Sequence, residues 1–496
     1  MKNIAIINGM DLSAHAFQTL ESGKSAIERV SEFAKKLPGV DEICFLGSEP
    51  AQNLPWEKQI LRESWSLTAM LDEIVKLSRG FDHVFYFFAD EALLDIEIAL
   101  KMYENHLKYF ADFSYGDGFP KGITIEMIKT SIIPQLVKLS AQCESKSCRF
   151  DMFSVLVKNI NAFDIETEIS PQDLRMLRLD LNCGKKQDFL LVRKILQKGV
   201  KNYAELMDFC EKYPGELRTR PYYYSIQVSA ACPQKCSYCY YPALNPGLLE
   251  DKALMALEQF QTLLEKIKDF SENAVINLSP FGEPALHPGI YDIMSLVLDQ
   301  PFFSCLIETS GIGWNQDKWL KLKQRDLGKL DIILSLDSVN PEVYGQLRGQ
   351  GFNEALGCSE FFLEHFKENL HVQAVRMNEN EDDLESFYKS WKEKTSQLII
   401  QKYDDFCGVL PSRKVTDISP LKRIPCWHLK RDMVILLDGS VPMCRQDAGN
   451  KAVLGNVFTD SLDDIWNKNQ EIYLKHIQKD YPSLCRNCDE YYTFNF

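Results

Sequence analysis

Cys232, Cys236 and Cys239 stand in the stretch ACPQKCSYCYYP, at the spacing C-x-x-x-C-x-x-C. Thiolates are soft ligands that suit iron–sulfur clusters and zinc. A structural zinc ion takes four ligands in a closed shell. Three thiols on one short loop leave a position open. Three thiolates can bind three irons of a 4Fe–4S cubane and leave the fourth iron free for a substrate. The missing fourth cysteine therefore favours an open-site cluster. Tight spacing also lets one loop wrap that cluster, with backbone N–H groups aimed at sulfur.

Cys426, Cys444, Cys485 and Cys488 form a second group, with Gly439 between the first two and C-x-x-C closing the set. Four thiolates saturate either a zinc ion or a cubane, so ligand count does not choose between them. The remaining cysteines (Cys44, Cys143, Cys148, Cys183, Cys210, Cys305, Cys358 and Cys407) are scattered and read as small core residues. The start MKNIAIINGMDLSAH lacks a basic segment, a long apolar run and a cleavage site. Without an export signal a disulfide framework is not expected, and clustered thiols read as ligands.

The elements that position these thiols are legible as alternation. In the first two hundred residues IAIIN (4–8), EICFLG (42–47) and HVFYFFAD (83–90) read as strands, with a helix near 25–36. MLRLDL (176–181) reads as a further strand before a helical run, QDFLLVRKILQKG. This pattern predicts a mostly parallel sheet covered by helices. CEKYPGELRTRP (210–221) is polar, with two prolines and a glycine, and reads as a linker.

Six strand–helix units follow, with strands at 223–229, 274–279, 304–309, 332–337, 371–377 and 397–402. Six consecutive units predict a partial (β/α)6 barrel with function at the C-terminal strand ends. The triple-cysteine loop follows the first strand, SPFGEP follows the second, ETSG ends the third and SLDS ends the fourth. The tail reads as a cysteine-flanked hairpin turning at Asp438-Gly439, then a helix near 461–478. The expected domains are 1–205, a linker 206–221, the barrel 222–410 and a cysteine-rich region 411–496.

With 496 residues the chain is too long for one ordinary core. Its formal charge of −14 argues against a sequence-wide nucleic-acid footprint. No apolar run approaches a membrane span. The expectation is a soluble cytoplasmic protein.

The cysteine spacing after the first strand of a six-unit barrel resembles the radical S-adenosylmethionine (SAM) superfamily. Tyr238 lies where that family carries an aromatic residue near the adenine. Gly282-Glu283-Pro284 resembles the motif that receives the methionine amino group, with Phe281 where a first glycine is common. Glu308, Thr309, Ser335 and Asp337 lie at strand ends that contact ribose and methionyl parts in the family. YGQLRGQGF (344–352), which carries Arg348, and RMNEN (376–380) look like further signatures. The resemblance implies a 4Fe–4S cluster on Cys232, Cys236 and Cys239 that binds SAM. Reductive cleavage would then give methionine and a 5′-deoxyadenosyl radical, which abstracts hydrogen from a substrate. An electron donor such as flavodoxin or ferredoxin is implied. Plainer roles stay open: a solvated carboxylate for Glu308, a helix cap for Asp337, and surface ion pairs for Arg348 and Arg376. Packing suits Tyr240 and Tyr241, and a structural hydrogen bond suits His287.

The tail cysteines resemble a shortened SPASM extension, implying one auxiliary 4Fe–4S cluster, with zinc the alternative. The first third resembles sugar-nucleotide cytidylyltransferase-like domains of three-layer α/β fold. Asp90 and Lys24 are its candidate Mg²⁺ and nucleotide residues, but INGMDLSAH lacks the arginine and glycines of a phosphate cradle. The whole chain resembles the spiro-SPASM family. The expected substrate is a peptide or a sugar- or nucleotide-linked molecule. The alternatives are a bifunctional enzyme with an active first domain, and a zinc-bound scaffold without catalysis.

Overall fold

The computed structural model describes residues 1–50, 56, 58–143, 149, 152–244, 252–447, 449 and 451–493. Cys148 lies outside them. The chain divides into two compact units, Met1–Thr219 and Arg220–Phe496.

The first unit is built on a seven-stranded sheet. Its strands are β1 (Asn3–Gly9), β2 (Val40–Gly47), β3 (Lys58–Leu61), β4 (His83–Phe88), β5 (Phe113–Asp117), β6 (Glu126–Lys129) and β7 (Ile165–Ile169). Their order is β3-β2-β1-β4-β6-β5-β7. β1 pairs in parallel with β2 and β4, whereas β6 runs antiparallel to β4 and β5. Continuous apolar runs are required here because helices cover both faces. Alternate residues serve separate cores: Ile4, Ile6, Val84 and Tyr86 pack on one side, and Ala5, Ile7, Phe85 and Phe87 on the other. Ser25 and Glu28 form a capping box that starts the helix Ala26–Ala34, close to where helical spacing begins in the sequence.

Two sequence expectations fail in this unit. Residues 176–181 are not a strand. Arg178 adopts a left-handed φ of 48° after a 3-10 turn, which breaks the extended run, and Asp180 makes only an isolated bridge to Lys121. Nor do residues 206–221 form a linker. They continue the helix Tyr203–Lys212 and a short turn, and Leu206, Phe209, Cys210 and Leu217 are buried in a core of the first unit. Polar composition and two prolines hid a helical apolar stripe at 206, 209 and 210.

The second unit carries a parallel sheet of order β13-β12-β11-β10-β9-β8-β14. Its strands are β8 (Tyr223–Ile226), β9 (Ala274–Asn277), β10 (Phe303–Thr309), β11 (Leu330–Ser335), β12 (Leu370–Arg376), β13 (Leu398–Lys402) and β14 (Asp432–Ile435). The six expected units step across the sheet in chain order, as successive right-handed crossovers dictate. Trp319, Trp391 and Tyr344 are among the large side chains that fill the core beneath the covering helices.

The tail departs from the expected hairpin. The turn at Asp438-Gly439 is present, with Gly439 at φ 82° and a Cβ there only 2.4 Å from Phe458. Its first arm, β14, instead adds in parallel to the free edge of β8. Its second arm, β15 (Ser440–Pro442), pairs antiparallel with β16 (Val453–Asn456). An unpaired β8 edge would leave a row of buried backbone groups without partners, and β14 satisfies them. The helix Leu462–Ile477 matches the expected position.

Truncating Phe209 to Ala should destabilise the first unit by about 3–5 kcal/mol, the usual cost of emptying a buried phenylalanine site. Chemical denaturation of the full chain, followed by its first unfolding transition, checks this. A shift within about 0.5 kcal/mol, typical of exposed linker positions, would contradict the packing described.

Candidate functional site

The three barrel cysteines lie in the loop that follows β8, and neighbouring loops hold that loop in place. Gly282 has φ 76°, and a Cβ on it would sit 2.1 Å from the Ser229 carbonyl oxygen. Only glycine permits this approach. Glu283 N–H then donates to the Ala231 carbonyl at 2.7 Å. The Glu283 side chain is buried, and four donors satisfy its carboxylate. Thr309 Oγ1 (2.6 Å) and Ala285 N–H (3.3 Å) reach one oxygen, and Ser310 N–H (2.8 Å) and Oγ (2.7 Å) reach the other. Burial pushes its pKa up while these donors oppose the shift.

The opposite side of the loop is held by YGQLRGQG. Gln234, between the first two cysteines, is buried; its Nε2 donates to Tyr344 Oη at 2.7 Å and to the Gln350 carbonyl at 3.2 Å. Its Oε1 accepts from Arg348 Nε at 3.0 Å, and Ser237 N–H donates to the Leu347 carbonyl at 2.7 Å. Arg348 Nη1 pairs with Asp337 Oδ2 at 2.7 Å and also reaches Tyr238 Oη. Tyr238 Oη donates to the same carboxylate at 2.6 Å, and Val375 N–H donates to Asp337 Oδ1 at 2.7 Å. Arg348 and Asp337 are thus a buried pair inside a satisfied network.

One cavity collects most of the expected residues. Tyr238, Gly282, Glu283, Glu308, Thr309, Ser335 and Arg348 line it with Cys232, Cys236 and Cys239. Gln373 Nε2 ties its floor together by donating to Glu308 Oε1 (3.0 Å) and Ser335 Oγ (3.2 Å). Pro284 and Asp337 are not among the lining residues; Asp337 sits behind Tyr238 and Arg348 as their anchor. Its left-handed φ of 64° turns the carboxylate that way, so it neither meets the cavity nor caps the next helix, which Asn340 caps. Arg376 forms the surface pair, with Glu381. His287 is structural: Nε2 donates to the Met255 carbonyl and Nδ1 accepts from Gly289 N–H. Phe281 stacks on Tyr241 with centroids 5.5 Å apart and meets Tyr240 edge-on, so an aromatic wall fills the space of the usual glycine.

The same cavity is also lined by Cys426, Cys444, Cys485 and Cys488. Burial pushes these thiols and the barrel thiols upward, Cys239 and Cys485 each to about 12, with Cys488 the exception. A metal's charge would reverse that preference and draw off the protons. The Glu490 backbone N–H, two residues on, donates to Cys488 Sγ at 3.4 Å. Such donors stabilise sulfur-bound negative charge.

Among the described residues, the one group of three or more candidate ligand atoms within 4.8 Å of one another is Asp404, Asp489 and Glu490. The acidic trio carries its own cations, since Lys402 pairs with Asp489 and Glu490, and Lys414 with Asp489.

In the first unit, Asp90 is buried, and Arg149 Nη1 lies 2.8 Å from each of its oxygens. Arg149 also stands 3.8 Å from Glu91 and over the Phe88 ring. The guanidinium therefore holds the carboxylate that a Mg²⁺ ion would need, and these residues do not fit a bound metal. Burial raises Asp90 and Glu91, the latter to about 8. Lys24 pairs with Glu32 at the surface. Nothing in the sequence around Arg149 signalled this contact. Gln234, by contrast, was in plain view between the cysteines.

The Radical SAM superfamily profile matches residues 226–390. The SPASM iron–sulfur cluster-binding domain matches 426–489. An uncharacterised protein of Treponema pallidum (strain Nichols) is 41% identical over 70% of this chain and 99% of its own length. A GTP 3′,8-cyclase of Vibrio parahaemolyticus serotype O3:K6 (strain RIMD 2210633) is 24% identical over 39% of this chain and 58% of its own. The antilisterial bacteriocin subtilosin biosynthesis protein AlbA of Bacillus subtilis (strain 168) is 22% identical over 50% of this chain and 60% of its own. This chain therefore spans somewhat more than half the length of the latter two. A partial barrel with an open three-thiol loop and a four-thiol tail defines a cluster-dependent radical enzyme. The chain belongs to the radical SAM superfamily and carries a SPASM domain.

Replacing Arg348 by Ala should cost about 3–5 kcal/mol, because the buried Asp337 carboxylate loses its cation. Arg376→Ala, breaking a solvent-screened surface pair, should cost far less. Thermal melts with iron content measured in parallel check both. Equal effects would contradict the assignment of Arg348 as the internal brace of the cysteine loop.

Proposed function

We propose that the chain cleaves SAM reductively and uses the resulting radical to take hydrogen from a substrate held between its two thiol groups. The observation that carries this reading is the shared cavity, which Cys232, Cys236 and Cys239 and the four tail cysteines all line. A 4Fe–4S cluster held by Cys232, Cys236 and Cys239 would pass one electron, taken from a donor such as flavodoxin or ferredoxin, to bound SAM, whose C5′–S bond would break to give methionine and a 5′-deoxyadenosyl radical.

The chain's own residues bind and orient. Gly282 and Glu283 fix the height of the cysteine loop. The Glu283 carboxylate supplies the negative charge that an amino group seeks. Glu308, Ser335 and Gln373 form a polar floor suited to ribose hydroxyls, and Tyr238 and Arg348 close one side. Tyr240, Tyr241 and Phe281 make the wall that excludes water. Asp337 and Pro284 act by positioning. The four tail thiols would hold an auxiliary 4Fe–4S cluster, which the SPASM match over 426–489 supports.

The substrate is a peptide or a sugar- or nucleotide-linked molecule. The likeness to AlbA supports the first and the likeness to the cyclase supports the second. The first unit holds a ligand without catalysing nucleotidyl transfer, in keeping with the Arg149 contact on Asp90. The protein works in the cytoplasm, where ligating thiols stay reduced; no helix among the described residues is long and apolar enough to cross a membrane.

Reduced, anaerobic protein should convert SAM to 5′-deoxyadenosine, slowly even without substrate. Cys232, Cys236 and Cys239 replaced together by Ala should abolish this. Reconstituted protein should hold about eight irons, and the triple variant about half as many. Undiminished cleavage by the triple variant would sink the reading, and one zinc with no iron in that variant would remove the auxiliary cluster. Deuterated peptide or nucleotide-sugar candidates that pass deuterium into 5′-deoxyadenosine identify the substrate.

Incubating the full chain with CTP, UTP, GTP or ATP, Mg²⁺ and phosphosugars should release no pyrophosphate above background. Each absent donor to the developing charge typically costs a hundredfold or more. Release that disappears in Asp90→Asn would show that the first unit is an active transferase.

A further inference from the structure

Four side chains that carry a fixed positive charge line the shared cavity: Arg348, Lys402, Arg423 and Arg445. Three of them have carboxylate partners. Arg348 pairs with Asp337, Lys402 with Asp489 and Glu490, and Arg445 stands 3.8 Å from Asp404. Arg423 has no carboxylate partner among the described residues. A cation set into a protein wall without a counter-charge is costly, so its surroundings must hold it there.

They do so closely. The Arg423 guanidinium carbon lies over the Tyr481 ring, 4.2 Å from its centroid, and over the Tyr491 ring at 4.7 Å. Nη1 donates to the Arg486 carbonyl at 3.0 Å, and Nη2 to the Cys485 carbonyl at 2.5 Å. An arginine fork suits such a pair of neighbouring carbonyls. Arg423 precedes Cys426 by three residues, so it ties the backbone ahead of one tail cysteine to the backbone of another. Its remaining donor, Nε, is sealed from solvent and has no acceptor among the described residues. An orphaned donor on an unpaired cation fits a bound anion. His476 also lines the cavity and meets Tyr481 edge-on, with centroids 5.0 Å apart. Burial, then the Arg423 charge, hold its pKa down to about 4, so it adds no second positive charge.

We infer that Arg423 is the built-in counter-charge of the auxiliary centre, a positioning residue whose fixed cation sets the reduction potential of the cluster on the tail cysteines. Four thiolates around a 4Fe–4S core leave a net negative charge, and reduction by one electron adds to it. A cation held nearby favours the reduced form more than the oxidised one, which raises the potential. The tyrosine sandwich and the two carbonyls keep that charge from swinging out to water, where it would be screened.

This rests on the reading that the four tail cysteines hold a 4Fe–4S cluster. The experiment isolates that cluster in the full chain with Cys232, Cys236 and Cys239 replaced by Ala. Iron is counted, and the midpoint potential is measured by electron paramagnetic resonance along a redox titration. Adding Arg423→Gln should leave about four irons and move the midpoint to more negative potential. Adding Arg423→Lys, which keeps the charge, should hold the midpoint near the parent value. Arg486→Gln removes an exposed charge one residue from Cys485 and should leave the midpoint in place. Iron lost from Arg423→Gln but kept by Arg423→Lys upholds the proposal, the charge then being needed to retain the cluster. A midpoint unchanged in Arg423→Gln, or shifted alike in the Gln and Lys variants, overturns it. So does an equal shift in Arg486→Gln, or loss of iron from both Arg423 variants, which would make Arg423 a brace for the backbone alone. Absence of iron from the parent triple variant, before any change at Arg423, overturns the cluster reading and the proposal with it.

Discussion

The 2.1 Å that would separate a Gly282 Cβ from the Ser229 carbonyl states the constraint on which the site depends. The loop after β9 must press backbone to backbone against the loop after β8. From that contact follow the Glu283–Ala231 hydrogen bond, the placement of the Glu283 carboxylate under Thr309 and Ser310, and the height of the cysteine loop. The carboxylate serves as a tie between the ends of β9 and β10 as much as a ligand group. Its four donors offset the burial of the charge, which unpaired would cost several kcal/mol.

The second unit works because its two metal-binding regions are parts of one packed body. β14 joins the barrel sheet by parallel pairing with β8, the strand that leads into the first cysteine loop. The backbone just before β14 carries Cys426, and the turn just after it leads to Cys444. Register in one sheet thus fixes parts of both thiol groups. The aromatic contacts of Tyr240 and the 404–407 loop reinforce the same spacing from the cavity side. The cavity is lined by strand ends and by the loops that carry the cysteines, which suits chemistry that must keep a radical away from solvent.

Chemistry was more legible than packing. C-x-x-x-C-x-x-C, Gly282-Glu283 and the strand ends at 308–309 and 335 showed themselves because ligands and close turns need particular residue types at fixed spacing. The six barrel strands were legible from alternation of apolar runs with helical patterns. Partner choice was not. No local pattern says that 432–435 pairs with β8 and not with 440–442, because that is decided by which edge is left open. The burial of Arg348 and the role of Asp337 as its anchor depend on residues brought together by the fold, as does the Arg149–Asp90 contact. The helix at 203–212 was obscured by the polar, proline-containing stretch that follows it, although Leu206, Phe209 and Cys210 lie on one buried face.

Two unlike clusters, one open to SAM and one closed, should be separable by electron paramagnetic resonance of the reduced, reconstituted protein with and without SAM. SAM should shift the signal of about half the reduced-cluster spins and leave the rest unmoved, and the movable half should be missing when Cys232, Cys236 and Cys239 are replaced. A spectrum wholly insensitive to SAM, or one in which the tail cluster alone responds, would contradict the presence of two such clusters.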